Sequence, residues 1–584
     1  MFDVVKIGEK LFLKVVSNIV ITPFDNPNLK KSIDMKLKSF LSLTLAGMAF
    51  SAMAQSHAEG VEYYEADQLD NAKELLQRNL NLPATDKAIS YYYQGLIALK
   101  ENNLTQAAEY FNKGAEANPE YPYNYVGLGQ IDLMGSTPKV AEQNFKKAES
   151  LAKKDVGVLI AIARAYDSVD AEKYAKDIEK LLEKAHKKDI KEPATYIFEG
   201  DRLAREQKYG EAGAKYEMAL SYDPNATAAY FKYANLFSQV NPQYGINMLQ
   251  KLLQLNPNSA LGQRSLANAY YQQNMFKEAA QEYGKYVKNP NHFKQDEDRY
   301  AFLLFYGQNY PEGYDYATQL LAKDPTNFTA QRYQFMNAAQ IPSMSDKLLP
   351  MAESLYAAHL KDSKNTFAPI DYILIADEFQ KEAGKLEDKA AKEAQLAKAA
   401  AVLEDGIKNM PTNASFYKQL AMLDVDRNDM PGASKAYAGY LENTKDPGYN
   451  DMIQAAVFAY YAGVQLKESD PAASTKFFDE AGVYTDKAAE AYPAMYRPLK
   501  IKGDVALQQG KNDEGINYYI QAIDKLEAMD GDTSRYASDA QNMYNSVGNS
   551  YLDKKDNATA KRYFNGYLKY DPNNADYQKF VNSL

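Results

Sequence analysis

A spacing of 34 residues recurs along this chain and constrains its fold more than any other feature. The stretch that begins at Tyr91, YYYQGLIALKENNLTQAAEYFNKGAEANP, aligns with the stretch that begins at Tyr125, YVGLGQIDLMGSTPKVAEQNFKKAESLAK. The matched positions, each 34 residues apart, are Tyr91 with Tyr125, Gly95 with Gly129, Ala107 with Ala141, Phe111 with Phe145, and Gly114 with Ala148. A repeat of this length predicts stacked supersecondary units, because one unit cannot bury its apolar face alone.

The residue types within one repeat predict a pair of helices. Gly95 and Ala107 are small residues at positions where two helices of a hairpin must approach closely. Phe111 follows Ala107 by four residues, so both lie on one face of the second helix. Pro119 cannot continue that helix and ends it. Each hairpin therefore exposes an apolar face that the next hairpin covers.

The same register returns in distant parts of the chain. Matching sets are Gly200, Ala212, Tyr216, Ala219 and Pro224; Gly503, Gly515, Tyr519 and Ala522; Tyr544, Gly548, Ala560, Phe564, Tyr567 and Pro572. This pattern resembles the tetratricopeptide repeat family. The resemblance implies an all-α fold, an α-α superhelical solenoid of about 13 to 14 helix-turn-helix hairpins over residues 59–574. The tail ADYQKFVNSL is then expected to be a capping helix in which Tyr577, Phe580 and Val581 cover the last layer.

Irregular stretches between the repeats predict where the solenoid changes. Residues 380–398 are rich in helix formers and charge, which predicts one hairpin with lengthened helices that project beyond the stack. Residues 361–367 are interpreted as a polar connector. We therefore expect an N-terminal array over 55–365 and a C-terminal array with the capping helix over 366–584, joined by a hinge or a change in curvature.

A secretory signal is predicted at residues 35–54, MKLKSFLSLTLAGMAFSAMA. Lys36 and Lys38 form its basic region, an apolar run follows, and the small residues that end at Ala54 predict cleavage before Gln55. The apolar run is shorter than the roughly 20 residues that span a membrane. Residues 1–34 are interpreted as an upstream extension produced by a misassigned start codon, with translation beginning at Met35.

Composition restricts the partners of the mature chain. The whole chain has a net charge of −10, and residues 1–54 carry seven lysines and four acidic residues, so the remainder carries −13. Binding to nucleic acid depends on neutralising phosphates with Lys and Arg, so this charge argues against it. The absence of cysteine excludes disulfides, a lipid-modified cysteine and thiolate metal sites.

No pattern of a catalytic or cofactor site is present in the sequence. Phosphate-binding loops, zinc-protease motifs and nucleophile elbows are missing, and no cofactor is predicted. The four histidines lack the spacing of metal ligands and are interpreted as surface residues: His57, His186, His292 and His359. Because repeats also leave little chain for a catalytic domain, the sequence favours a protein that is not an enzyme.

The concave surface, lined by the first helix of each hairpin, is the expected binding surface of such a solenoid. Asparagine side chains both donate and accept hydrogen bonds, so successive ones can hold an extended peptide backbone. The predicted peptide-binding residues are Phe231, Asn235, Arg264, Asn268 and Arg299 in the first array, and Arg497, Lys500, Asn545 and Asn549 in the second, beside Asp504. Their set only partly matches the carboxylate-gripping sites known in the family.

These observations favour a periplasmic, non-enzymatic scaffold that binds peptide segments or protein partners in the cell envelope. Attachment to the outer membrane or secretion remains open, as does the choice between a monomer and a homodimer. The alternative is a carbohydrate- or nutrient-binding envelope protein. The absence of tryptophan counts against that alternative, although 48 tyrosines could stack on sugars.

Overall fold

The computed structural model describes residues 56–584, except residues 239 and 530, and in this part of the chain all regular structure is helical. The predicted signal, its cleavage site at Ala54 and Gln55, and the upstream extension lie outside the described residues. The chain forms two compact units, which meet between Gln308 and Asn309. Each unit is described separately below.

The described residues of the first unit, 56–308 without 239, form seven consecutive helical hairpins and one further helix. Its helices are α1 (His57–Glu65), α2 (Leu69–Asn79), α3 (Lys87–Lys100), α4 (Leu104–Ala117), α5 (Tyr123–Met134), α6 (Pro138–Ala152), α7 (Gly157–Asp170), α8 (Ala175–Lys188), α9 (Pro193–Arg205), α10 (Tyr209–Tyr222), α11 (Thr227–Phe237), α12 (Pro242–Leu255), α13 (Ala260–Gln272), α14 (Phe276–Tyr286) and α15 (Glu297–Tyr306).

The second unit begins with one helix, continues with six hairpins and ends with a single helix. Its helices are α16 (Tyr310–Lys323), α17 (Phe328–Ala338), α18 (Ser345–Lys361), α19 (Pro369–Gly384), α20 (Lys389–Asn409), α21 (Ala414–Asp426), α22 (Met430–Glu442), α23 (Tyr449–Leu466), α24 (Pro471–Ala491), α25 (Arg497–Gln508), α26 (Asn512–Glu527), α27 (Ala537–Asp553), α28 (Asn557–Leu568) and α29 (Ala575–Ser583).

Local sequence fixes where the hairpins turn. Asp86 begins α3 because its Oδ1 accepts hydrogen bonds from the backbone N–H groups of Ala88 and Ile89, at 2.8 and 3.2 Å. In eight of these hairpins, one residue between the two helices adopts a positive φ: Asp67, Asn102, Ser136, Gln207, Asn274, Asn428, Gly510 and Lys555. These turns share the same backbone feature, although seven of the eight residues are not glycine.

The repeat glycines allow aromatic rings to fill the space between helices. Phe111 of α4 is fully buried and lies against Gly95 of its own hairpin and Gly127 of the next one. A Cβ atom at Gly95 or Gly127 would lie 2.4 or 2.3 Å from a ring carbon of Phe111. One ring therefore closes its own hairpin and stacks the next, which confirms the predicted solenoid of tetratricopeptide type.

The C-terminal helix α29 caps the second unit as predicted. Val581 is 2 % exposed and packs with Phe564 and Ala560 of the last hairpin. The rings of Tyr577 and Phe580 lie 5.9 and 5.2 Å from the ring of Phe564. The three residues expected to cover the last layer do so.

The stretch around residue 365 lies within the second unit. One apolar core extends across it, from Phe335 through Phe367 and Tyr372 to Phe458. The division into compact units falls between Gln308 and Asn309. The boundary between two repeat arrays near residue 365, with a hinge or a change in curvature, stays a prediction. The lengthened hairpin predicted for residues 380–398 consists of α19, with 16 residues, and α20, with 21 residues.

Glycine-to-alanine changes at two positions of the second unit are expected to have opposite effects. In Gly548→Ala the new Cβ would lie 2.4 Å from the Phe564 ring, so overpacking should cost about 1–3 kcal/mol. In Gly482→Ala, inside α24, no atom lies within 4 Å, so the gain in helix propensity should add about 0.5–1 kcal/mol. Thermal unfolding followed by circular dichroism measures both. Equal melting temperatures for the two variants would contradict this account of the packing.

Candidate functional site

The first unit closes on itself through its N-terminal hairpin. Helix α1 packs against α11 and α13, which belong to the sixth and seventh hairpins. Ser259, just before α13, donates a hydrogen bond from Oγ to Oε2 of Glu62 at 2.8 Å. Arg264 of α13 donates from Nη1 to Oε1 of Gln68 at 2.9 Å. We call this contact between the first hairpin and the sixth and seventh hairpins the seam.

The connector between α14 and α15, residues 287–296, supplies the other side of the seam. Arg78 donates from Nη1 to the carbonyl oxygen of His292 at 3.3 Å, and Asn79 donates to Oδ1 of Asn291 at 3.4 Å. Tyr63 is fully buried, and its ring meets the ring of Phe293 edge-on with centroids 5.4 Å apart. The seam therefore combines hydrogen bonds with aromatic packing.

Arg264 is held inside the seam by Asp296. Its guanidinium forms an ion pair with the Asp296 carboxylate at 2.8 Å and lies over the ring of Phe293. The Tyr286 hydroxyl donates a second hydrogen bond to Asp296 at 2.7 Å. The charge of Arg264 is thus already compensated, and this side chain joins α13 to the first hairpin.

A buried carboxyl group also lies in the seam. Glu59 of α1 is 9 % exposed and hydrogen-bonds with the backbone of Ala260 and the side chain of Asn291. Burial, and then the nearby charge of Glu62, raise the pKa of Glu59 to about 8. A buried carboxyl prefers the neutral form because ionisation without solvent is costly. Glu59 is accordingly protonated at neutral pH.

Inside the closed turn is a cavity of about 1350 Å³, lined mainly by the first helices of the hairpins. We call the rings on its N-terminal side the tyrosine wall: Tyr64, Tyr92, Tyr93, Tyr121 and Tyr123. The rings touch in sequence, with centroid distances of 5.1 Å for Tyr64–Tyr93, 5.2 Å for Tyr92–Tyr93 and 5.5 Å for Tyr92–Tyr123. A wall of this kind offers both apolar faces and hydroxyl groups to a guest.

A network of paired charges around Asp201 also lines the cavity, and its Arg164 lies within electrostatic range of Tyr64 and Tyr92 of the wall. The Asp201 carboxylate is bound by Arg164 at 2.9 Å, by Lys232 at 3.1 Å and by the Tyr216 hydroxyl at 3.0 Å. Burial acts to raise the pKa of Asp201, but Arg164 and Lys232 outweigh it, so the pKa is lowered. Asp201 is therefore ionised, and its charge is neutralised from within the protein.

The predicted peptide-binding residues of the first unit occupy different environments. Asn235 is exposed and lines the cavity, as expected for a concave position. Phe231 is 2 % exposed, so it contributes to the core. Arg299 stacks over the ring of Tyr271, with 4.5 Å from Cζ to the ring centroid, and Asn268 is half-buried on α13. Arg264, the fifth predicted residue, lies in the seam. Only Asn235 of this set lines the cavity. That Asn235 binds a peptide stays a prediction.

The predicted residues of the second unit lie in two places. Lys500 pairs with Asp504 at 2.7 Å, while Arg497 and Lys500 both approach Asp539, at 3.3 and 3.8 Å. Asp504 also accepts a hydrogen bond from Tyr519 at 2.6 Å, just as Asp201 accepts one from Tyr216. Further along, Asn545 accepts a hydrogen bond from Tyr577 at 2.9 Å, and Asn549 is exposed. Their role in binding stays a prediction.

Neither the seam nor the tyrosine wall is predicted from the sequence. The 34-residue period continues through the seventh hairpin, from Ala267 to Ala301, so the connector at 287–296 changes no spacing. The available signal was Pro290 between two asparagines, since proline ends a helix early. The wall was visible only as the run of three tyrosines at 91–93 and two more at 121 and 123.

In residues 56–584 without 239 and 530, no cluster of three or more His, Asp or Glu side chains could hold a metal ion. Within the same described range, no helix is both long enough and apolar enough to cross a membrane.

Comparison with known proteins supports the repeat assignment at both ends. Models of the tetratricopeptide repeat match residues 57–122 and residues 541–574. The first hairpins and the last one are therefore similar in sequence to tetratricopeptide repeats. No curated protein sequence matches the chain.

Comparison with solved structures gives several partial similarities. The C-terminal part of a repeat-containing protein from Cytophaga hutchinsonii is 16 % identical over 48 % of this chain and 98 % of that chain, with a TM-score of 0.33. Yeast Tom70 is 16 % identical over 81 % of this chain and 91 % of the Tom70 chain, with a TM-score of 0.26. A chain in the structure of Naa15/Naa10 bound to HypK-THB is 13 % identical over 82 % of this chain and 68 % of that chain, with a TM-score of 0.27. At these TM-scores none of them indicates a partner for this chain.

The buried carboxyl of Glu59 predicts how stability depends on pH. Its pKa is about 8 in the folded protein and 4.5 without burial, so between these values the folded state holds a proton that the unfolded state lacks. The contribution of Glu59 to the free energy of unfolding therefore falls as the pH rises from 4.5 to 8, by up to about 1.4 kcal/mol per unit. Glu59→Gln cannot ionise and should lose this dependence.

Melting temperatures between pH 5 and pH 8 measure the effect. As the pH rises, the melting temperature of Glu59→Gln should increase relative to the melting temperature of the wild type. The exposed Glu120 is the control, and Glu120→Gln should follow the wild type at every pH. If Glu59→Gln keeps the slope of the wild type, Glu59 is not protonated in the folded protein.

Proposed function

We propose that this chain is an exported, non-enzymatic adaptor that holds an extended segment of a partner protein in the cavity of its first unit. The observation that carries the proposal is the cavity itself. Its volume of about 1350 Å³ exceeds the roughly 300–1000 Å³ typical of small-molecule pockets. A segment of polypeptide fits a space of this size better than a single metabolite does.

The side chains at the cavity support the same conclusion. Asn235 is exposed there and can both donate to and accept from a peptide backbone. The tyrosine wall offers aromatic faces, and tyrosine is enriched in protein interfaces because it is large and amphipathic. A chain bound in an extended form presents both its backbone and its side chains to such a lining.

The predicted signal at residues 35–54 supports a role in the cell envelope. A chain cleaved before Gln55 would be released on the far side of the inner membrane, and no cysteine is available for lipid attachment. We therefore propose the periplasm as the compartment and a protein of the envelope as the partner.

Site-specific crosslinking in the cell of origin tests the proposal. The chain is expressed from Met35 with a C-terminal tag, and a photoreactive amino acid replaces Asn235 in the cavity. The control replaces Lys146 on α6, whose side chain is 78 % exposed and does not line the cavity. Irradiation should join position 235, but not position 146, to one segment of an envelope protein, which mass spectrometry identifies together with the mature N-terminus.

Other outcomes would contradict parts of the proposal. A glycan attached at position 235 would favour the carbohydrate-binding alternative. Equal crosslinking at positions 235 and 146 would mean that the cavity holds no segment. A chain that keeps the signal and crosslinks only cytoplasmic proteins would contradict export.

A further inference from the structure

We propose that the guest segment is positively charged, and that Glu65 and the tyrosine wall receive one of its lysine or arginine side chains. The inference rests on the proposed function and adds the chemistry of the guest. It is carried by the balance of charges in the cavity, by Glu65, and by the free hydroxyl of Tyr92.

Acidic groups outnumber basic groups in the lining of the cavity. Seven of the lining side chains are carboxylates and four are lysine or arginine. All four cations are already paired within the unit, namely Lys100 with Asp67, Arg164 and Lys232 with Asp201, and Arg205 with Asp167. The cavity therefore offers no unpaired cation to an acidic guest, and its surplus of charge is negative.

Glu65 is the surplus carboxylate best placed for a guest. It lies at the C-terminal end of α1, lines the cavity and is half-buried. Its oxygens lie within 4 Å of no lysine, arginine or histidine nitrogen among the described residues. Its hydrogen bond comes from the Tyr93 hydroxyl, at 3.4 Å. Arg164 lies within electrostatic range of Glu65, but its guanidinium is bonded to Asp201.

Tyr92 gives a second and independent indication of a ligand. It is only 7 % exposed and lines the cavity, and its hydroxyl makes no hydrogen bond with any described residue. Because this hydroxyl is accessible from the cavity, a polar group of a guest can form a hydrogen bond with it. The ring packs on Tyr93 and Tyr123, so it is fixed beside the carboxylate of Glu65.

Aromatic faces next to a carboxylate form a suitable site for a cation. A lysine or arginine side chain gains from the negative face of an aromatic ring and from a charge-assisted hydrogen bond to the carboxylate. The protein already shows this arrangement at the rim of the wall, where Lys100 lies 4.9 Å from the centroid of Tyr64 and pairs with Asp67. A cationic side chain of the guest would repeat it at Glu65.

Peptide selection with the purified chain tests the inference. The probe is a library of random ten-residue peptides, free at both ends, incubated with the wild type, Glu65→Gln and Glu65→Lys. Peptides retained by the wild type should be enriched in lysine and arginine. These peptides should bind Glu65→Gln with an affinity at least roughly tenfold lower than their affinity for the wild type, because one member of a buried charge pair is missing. Glu65→Lys should lose the preference for basic peptides.

Matched variants separate the charge effect from general damage. Glu142→Lys makes the same charge change on α6, outside the cavity, and should bind as the wild type does. Tyr92→Phe removes only the free hydroxyl and should lower the affinity for the retained peptides by about two- to tenfold. Unchanged circular dichroism and an unchanged melting temperature show that a variant is folded. If Glu65→Lys does not fold, the comparison of Glu65→Gln with the wild type tests the inference.

The possible results of the peptide selection distinguish the charge inference from the proposed function. Retained peptides without a preference for basic residues, or with equal affinity for Glu65→Lys and the wild type, would overturn the charge inference and leave peptide binding intact. A library from which no variant retains peptides would overturn both proposals. Displacement of the basic peptides by spermidine at the same molar concentration would assign the site to small cations instead of a polypeptide.

Discussion

The close approach of glycine and aromatic ring is the contact on which the rest of the molecule depends. Phe111 fits between Gly95 and Gly127 because neither has a side chain. The same pairing joins Gly200 to Tyr216 and Gly548 to Phe564. It sets the distance between the helices of each hairpin and the angle at which the next one stacks. Repetition of that step turns the first unit until its first hairpin lies beside its sixth and seventh.

Sequence reasoning recovers the features that repeat and misses those that occur once. The spacing of Gly548 and Phe564 is periodic, so it predicts the fold and the capping position of Val581. The contact of Ser259 with Glu62 joins residues 197 positions apart, and no periodicity encodes it. Arg264 shows the difference most clearly. Its position in the repeat predicts a concave face, but the partner that binds it, Asp296, lies in the irregular connector.

The cavity also shows why exposed position alone is a weak guide to binding. Arginine and lysine at concave positions suggest sites for acidic peptides, yet Arg164 and Lys232 are both bound to Asp201. In the second unit, Lys500 is bound to Asp504 in the same way. Only the structure shows which charges are left over. In the first unit, Glu65 lines the cavity without an ion-pair partner among the described residues, a feature that the sequence does not predict.

The seam gives the first unit an order of assembly. Neighbouring hairpins contact each other locally and can form as the chain emerges, because each stacks on the one before it. The seam is different, since Arg78 must wait for His292, which is 214 residues away. Until the seam forms, the turn is open along one side, and a long segment can enter the cavity laterally instead of threading through its mouth.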